Sequence, residues 1–263
     1  MTGSKPCPVV RRVRAGRALS ISRLPGLSHA LNPYVGCAHR CAYCYAQDVL
    51  RMGGRGGWGT WVDVKSNIPG LLSKEMKRWN GETIGLGTVT DPYQPVEQRI
   101  GLSRACLGIL LAYDPSVCVQ TKSDLVLRDM ELLSSFSKPE VGLTITTLDE
   151  EVRRLIEPGA PPPGKRLAAM RALSETGIET WLFLGPVISG LNDAAESIEA
   201  IVEHAAEAGA KRILYDRYRA KPVADLRMRQ VLGGRFEPRG SMDWVAHLRS
   251  AAMTNGLSAV EAF

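Results

Sequence analysis

Long apolar runs are missing from this chain of 263 residues: no stretch approaches the ~18 consecutive apolar residues of a membrane helix. The opening segment MTGSKPCPVVRRVRAGR also lacks the apolar core of a secretory signal, so the chain is expected in the cytoplasm and off the membrane. Aromatic residues are sparse at 6%, yet an apolar fraction of 44% suffices for a sizeable core and excludes a disordered chain. Acidic residues are absent from residues 1–30, which hold Lys5, Arg11, Arg12, Arg14, Arg17 and Arg23 and so match the net charge of +6 by themselves. Residues 1–30 therefore read as a basic N-terminal arm. Residues 31–263 read as a single domain, because neither an internal repeat nor an interdomain linker is visible.

A second basic stretch runs from Lys211 to Arg249, where ten Lys and Arg face only Asp216, Asp225, Glu237 and Asp243. Both stretches could track nucleic-acid phosphates, and both could equally be solvated or neutralise neighbouring carboxylates. Charge alone does not separate these readings.

What the chain does contain is alternation. Strands are expected over Ala30–Val35, Thr83–Val89, Val117–Thr121, Val141–Thr146, Thr180–Leu184 and Arg212–Tyr215. Helices are expected over Ala46–Met52, Pro69–Trp79, Gln98–Tyr113, Leu125–Ser134, Lys165–Thr176, Asp193–Ala208 and Asp243–Thr254. Such alternation favours a parallel sheet with right-handed crossovers. Asn192 is placed as an N-cap, with Gly177 and Gly209 just past helix ends. The run Gly53–Gly59 reads as a flexible loop or lid, and Pro158–Gly164 as an extended turn before a helix.

Cysteine is scarce too, and its placement is uneven. Of six cysteines, Cys7, Cys106 and Cys118 stand apart, while Cys37, Cys41 and Cys44 crowd into a CxxxCxxC pattern within Asn32–Tyr45, just after the first expected strand. Clustered thiols inside a reducing compartment point to a metal rather than to disulfides. Three thiolates on one short loop can hold three irons of a cubane cluster and leave the fourth without a protein ligand. Two other readings stand beside this one. His39 could complete a Cys3His zinc site, although it lies only two residues from each neighbouring cysteine. Cys41 and Cys44 form a CxxC redox pair, although this leaves Cys37 unexplained.

The cysteine motif, with Tyr43 just before its last cysteine, resembles that of the radical S-adenosylmethionine (SAM) superfamily. More closely, the chain is similar to the spore photoproduct lyase-like group of short radical SAM proteins, from about Asn32 to Tyr218. The supporting segments follow in the expected order: Gly87–Glu97, Thr121–Ser123, Leu143–Thr147, Glu157–Pro161 and Gly185–Asp193. This resemblance implies a partial (β/α)6 barrel of the TIM type, with a [4Fe-4S] cluster on Cys37, Cys41 and Cys44. It also implies SAM chelated to the open iron and split by an electron to give a 5′-deoxyadenosyl radical, and an external one-electron reductant of flavodoxin or ferredoxin type. Active sites of β/α barrels lie at the C-terminal strand ends, where these segments fall.

By position, the resemblance places Thr90, Lys122, Ser123 and Thr144 as polar SAM contacts, with Lys122 on the methionyl carboxylate, and Tyr43 and Ile188 beside the adenine. The residues also permit plainer roles: threonines suit strands, Lys122 could be solvated, and Ile188 could be core. Asp91, Tyr93 and Glu97 are candidate substrate contacts, because the spacing across the Pro92–Pro95 turn lets both carboxylates face the barrel mouth; either carboxylate could instead bind the SAM ribose, and Glu97 could cap the next helix. The hydrogen-donor cysteine of the lyases has no counterpart, since the matching stretch is Thr88-Val89-Thr90-Asp91. A threonine O–H bond is too strong to return a hydrogen atom to a product radical. Cys118, one strand over, is either a replacement donor or a buried core thiol.

The expected activity is therefore hydrogen abstraction by a SAM-derived radical, with nucleic acid, a peptide or a small molecule as substrate. A non-catalytic, metal-stabilised nucleic-acid-binding module is the alternative of a different class.

Overall fold

The structure, a computed structural model, describes residues 7–52, 55–238, 240 and 242–262. In chain order the first elements are β1 (Val9–Val13), β2 (Leu19–Ile21), β3 (His29–Leu31), β4 (Tyr34–Val35), α1 (Ala46–Val49), β5 (Trp61–Lys65), α2 (Ile68–Glu75) and β6 (Ile84–Leu86). Next come α3 (Glu97–Ile100), α4 (Leu102–Leu111), β7 (Val117–Thr121), α5 (Met130–Leu133), β8 (Pro139–Thr144), α6 (Glu150–Ile156) and α7 (Pro163–Glu175). The chain ends with β9 (Glu179–Val187), α8 (Ala195–Glu207), β10 (Arg212–Arg217), α9 (Pro222–Leu232), α10 (Trp244–Thr254) and β11 (Ser258–Glu261).

An eight-stranded sheet runs in the order β11-β10-β9-β8-β7-β6-β3-β2, and every neighbouring pair from β3 to β11 is parallel. The six strands expected from sequence form its centre in chain order, so the α/β partial-barrel architecture holds. Strand β7 shows how a period of two builds the wall: Val117, Val119 and Thr121 are buried while Cys118 and Gln120, on the opposite face, are half-buried. The outer face packs on helices such as α8, whose Ile198, Ile201, Val202 and Ala205 recur at helical spacing and join Val119, Leu143, Leu182 and Ile213 in one core.

Several expectations need correcting. The run Ala30–Val35 is two strands in different sheets, because Pro33 interrupts it: β3 continues the barrel, and β4 joins the separate sheet β1-β5-β4. The basic arm, where described, is not free: β1 pairs in parallel with β5 and β2 pairs antiparallel with β3. Lys5, Gly53, Gly54 and Arg239 lie outside the described residues. The helix expected over Gln98–Tyr113 breaks at Gly101, whose φ of 67° is the left-handed conformation glycine adopts without strain. Asn192 is no N-cap. Its buried amide accepts from Ile188 N at 2.6 Å and donates to the Thr146 and Pro186 carbonyls, tying the ends of β8 and β9 together.

Candidate active site

The cysteine loop hangs from the end of β4 and is stitched to its surroundings through its backbone. Gln94 donates to Gly36 O at 3.1 Å and accepts from Ala38 N at 2.9 Å. On the other side Ala42 N donates to Ile156 O at 2.8 Å, and Gly159 N donates to His39 O at 2.9 Å. Only glycine fits at 159, since a Cβ there would stand 2.3 Å from Ala38 O and 2.8 Å from His39 O. The turn Glu157–Pro161 is thus a buttress under the loop.

Cys37, Cys41 and Cys44 all line one cavity of about 460 Å³ at the C-terminal strand ends, together with His39, Tyr43, Asp91, Lys122 and Thr144. Burial pushes the Cys41 thiol up to about 12 and raises Cys37 and Cys44, and neighbouring thiolate charge raises Cys37 and Cys41 further. Among the described residues no group of three or more His, Cys, Asp or Glu closes on a single-ion position. Three thiols lining one cavity fit three corners of an iron–sulfur cube. His39 is not part of that donor set: its Nδ1 lies 3.3 Å from Asp91 Oδ2.

Tyr43, between two of the cysteines, is fixed from below. Its hydroxyl donates to Glu157 Oε1 and lies 3.2 Å from Thr146 Oγ1. The other Glu157 oxygen takes Arg166, whose guanidinium also donates to Thr144 O at 3.0 Å and to Pro161 O at 2.9 Å. Burial would raise the Glu157 carboxyl, but the charges of Arg166 and Lys122 and the bonds from Arg166 and Tyr43 hold it at about 2. Lys122 reaches the same place from the end of β7, with Nζ 5.6 Å from the Tyr43 ring centroid. Asp91 binds Lys122 N at 2.8 Å, Thr121 Oγ1 at 2.6 Å and Tyr93 N at 2.9 Å. Despite burial, the neighbouring His39 and these bonds hold Asp91 at about 2.

The remaining sequence-derived candidates lie elsewhere. Thr90 gives its buried hydroxyl to Tyr34 O at 3.0 Å. Ser123 caps a 3-10 turn by accepting from Leu125 N at 3.2 Å. Ile188 is fully buried among Tyr43, Ile156, Tyr218 and Phe236, behind the cysteine loop. Tyr93 and Glu97 do not face the barrel mouth. The Tyr93 ring sits in the main core, with the Arg128 guanidinium 5.9 Å away. Glu97 is buried, accepts from Ser103 N at 3.0 Å and Arg104 N at 3.3 Å, and so caps α4 while pairing with Arg128 at 2.7 Å. Within the turn it is Gln94 that faces the loop.

Sequence reasoning missed the rim of the cavity, formed by Tyr45, Phe183 and the β10 end with Asp216, Arg217, Tyr218, Arg219 and Lys221. The basic stretch containing the last five was visible, but nothing marked its strand end as a cavity wall. Thr88, at the position matching the lyase donor thiol, accepts from Asn32 Nδ2 at 2.8 Å.

The radical SAM superfamily profile matches residues 31–213. An uncharacterized protein of Methanocaldococcus jannaschii is 38% identical over 184 residues, covering 69% of each chain. An uncharacterized protein of Mycobacterium bovis is 33% identical over 190 residues, which is 69% of this chain and 56% of that one. Among solved structures, a spore photoproduct lyase variant with bound AdoMet and dinucleoside spore photoproduct superposes with a TM-score of 0.71, covering 95% of this chain and 81% of its own, at 16% identity. That likeness shares the fold. Three thiols lining one cavity at the mouth of a parallel barrel, and a profile match from residue 31 to residue 213, make this chain a member of the radical SAM superfamily.

Proposed function

We propose that this enzyme abstracts a hydrogen atom from a phosphate-bearing substrate, nucleic acid in the first instance, presented at the Arg217–Lys221 rim of the cavity. A [4Fe-4S] cluster with bound SAM supplies the radical in this superfamily, after reduction from outside. The chain's own residues do the positioning. Cys37, Cys41 and Cys44 would hold three iron corners. Lys122, a point charge on a flexible stem, would take the methionyl carboxylate. Thr144 and the Tyr43 backbone would flank the adenosyl group inside the cavity. The external donor is a one-electron carrier of flavodoxin or ferredoxin type.

The observation that carries the substrate class is the rim. Among the described residues the side chains of Arg217 and Lys221 make no ion pair, whereas Arg212 in the same stretch is spent on Glu140 and Glu179 and Arg219 on Asp216. The lyase with the shared fold holds a dinucleoside photoproduct. Thr88 in place of a donor thiol argues against dimer repair by the lyase route and for a modification in which the product radical is quenched otherwise.

The test is anaerobic turnover with SAM and reductant, in the presence of DNA, RNA or peptide pools deuterated at carbon. Deuterium entering 5′-deoxyadenosine from a nucleic acid, with binding that weakens steeply as salt rises, is the expected result. Transfer only from the peptide pool overturns the substrate class and leaves the radical chemistry standing.

A further inference from the structure

Helix α9 is latched to the cysteine loop at two points. At its N-terminus Val223 N and Ala224 N donate to the two oxygens of Asp48, at 2.9 and 3.2 Å. One turn on, Arg227 reaches under the loop: Nε donates to Ala42 O at 3.1 Å, Nη1 to Gln47 Oε1 at 2.7 Å, and Nη2 to Cys44 O. The guanidinium also lies 5.8 Å from the Trp58 ring centroid. This basic residue is therefore not surface charge. The planar fork bridges two carbonyls, one of them that of Cys44 itself, and so holds its positive charge beside a cluster ligand.

Adding an electron to a cluster already held by three thiolates adds negative charge in a low-dielectric pocket, so nearby donors and cations decide how readily it is accepted. The carbonyls of Ala42 and Cys44 and the Asp48 carboxylate oppose that charge; Arg227 and Lys122 both offset it at Cys44, and of the two Arg227 is the one bonded to the loop carbonyls. A guanidinium stays protonated at any working pH, so the effect is permanent.

We propose that Arg227 is a positioning residue for the electron step: its charge, fixed beside Cys44, favours the reduced cluster and raises the potential at which the enzyme accepts an electron from its external one-electron donor. The proposal rests on the cluster being held by the three cysteines.

The test reconstitutes wild type, Arg227→Gln and Arg227→Lys anaerobically, counts iron and sulfide, and titrates each cluster by EPR against redox mediators. Arg227→Gln with wild-type iron should have a more negative midpoint, the reduced-to-oxidised ratio at fixed poise falling about tenfold, which is ~59 mV for one electron. Arg227→Lys should recover most of that shift. A midpoint unchanged in Arg227→Gln, or a Lys variant that falls as far as Gln, overturns the proposal. Should Arg227→Gln hold too little iron to titrate, Arg227→Lys decides. A cluster kept near the wild-type potential supports the charge role, and a cluster lost there too overturns it. Absence of a cluster signal in wild type would instead sink the cluster assignment.

Discussion

The Tyr43 hydroxyl donates to Oε1 of Glu157, a fully buried carboxylate 114 residues further along the chain. Through this bond and the Arg166 pair on the other oxygen, the end of α6 sets the orientation of the residue between Cys41 and Cys44. Glu157→Gln keeps the shape and removes the charge, leaving Arg166, 1% exposed, without its partner. Removing one partner of a buried ion pair costs about 3–5 kcal/mol. Urea unfolding of the iron-free protein should show a loss in this range, and a loss below about 1 kcal/mol would mean that the network is not holding the loop.

The same network makes stability depend on acid. The carboxyls of Glu157 and Asp91 sit at about 2, below ordinary values of 4.5 and 3.8. A lowered carboxyl contributes stability that is complete above its ordinary value and is lost as pH falls toward its folded value. Urea midpoints of the iron-free protein should therefore drop between pH 5 and pH 2. Glu157→Gln should show a shallower drop than wild type; equal slopes would remove Glu157 as a cause.

Gly159→Ala tests the buttress separately from charge. The added methyl must push away the Ala38 and His39 carbonyls, so cluster occupancy should fall to less than half of wild type while the secondary structure is kept. Gly164→Ala, where nothing lies within 4 Å, is the matched control and should retain full iron. Equal iron in both variants would show that the loop tolerates displacement.

The sequence made the chemistry at strand ends legible and left the chemistry of turns hidden. Lys122, Asp91 and Thr144 share one cavity because a parallel strand delivers its last residues and those that follow it to the same end of the barrel, and β4 brings Cys37, Cys41 and Cys44 to that end from the separate sheet. Tyr93 and Glu97 went the other way because the Pro92–Pro95 turn rotates the chain, aiming Gln94 at the loop and Glu97 at the first amides of α4. Ser123 had the residue type of a contact but was needed as a cap. Two missed helices had readable starts: Asp149 caps α6 by accepting from Glu151 N at 2.7 Å, and Pro222 opens α9. Strand β5 was masked by the glycine run before it, although Trp61–Val64 has the composition of a strand. Arg227 was legible only as charge. What gives it a role is the packing of α9 on α1, which no local pattern announces.

Lys122→Ala removes a cation from the cavity without disturbing the backbone amide that holds Asp91. A charged hydrogen bond is worth about 1.5–3 kcal/mol, so equilibrium SAM binding to the reconstituted protein should weaken by roughly 10- to 100-fold. Unchanged affinity would take Lys122 off the methionyl carboxylate.

The most direct measurement is made on oxygen-protected wild type beside Cys37→Ala, Cys41→Ala and Cys44→Ala: iron and sulfide content, the EPR signal of the reduced protein before and after SAM, and 5′-deoxyadenosine formed. Wild type should hold four irons per chain, as a [4Fe-4S] cube does, change its signal on adding SAM and produce 5′-deoxyadenosine, with each variant producing none while keeping its fold. A wild type whose signal ignores SAM, or a variant that still splits it, would contradict the account.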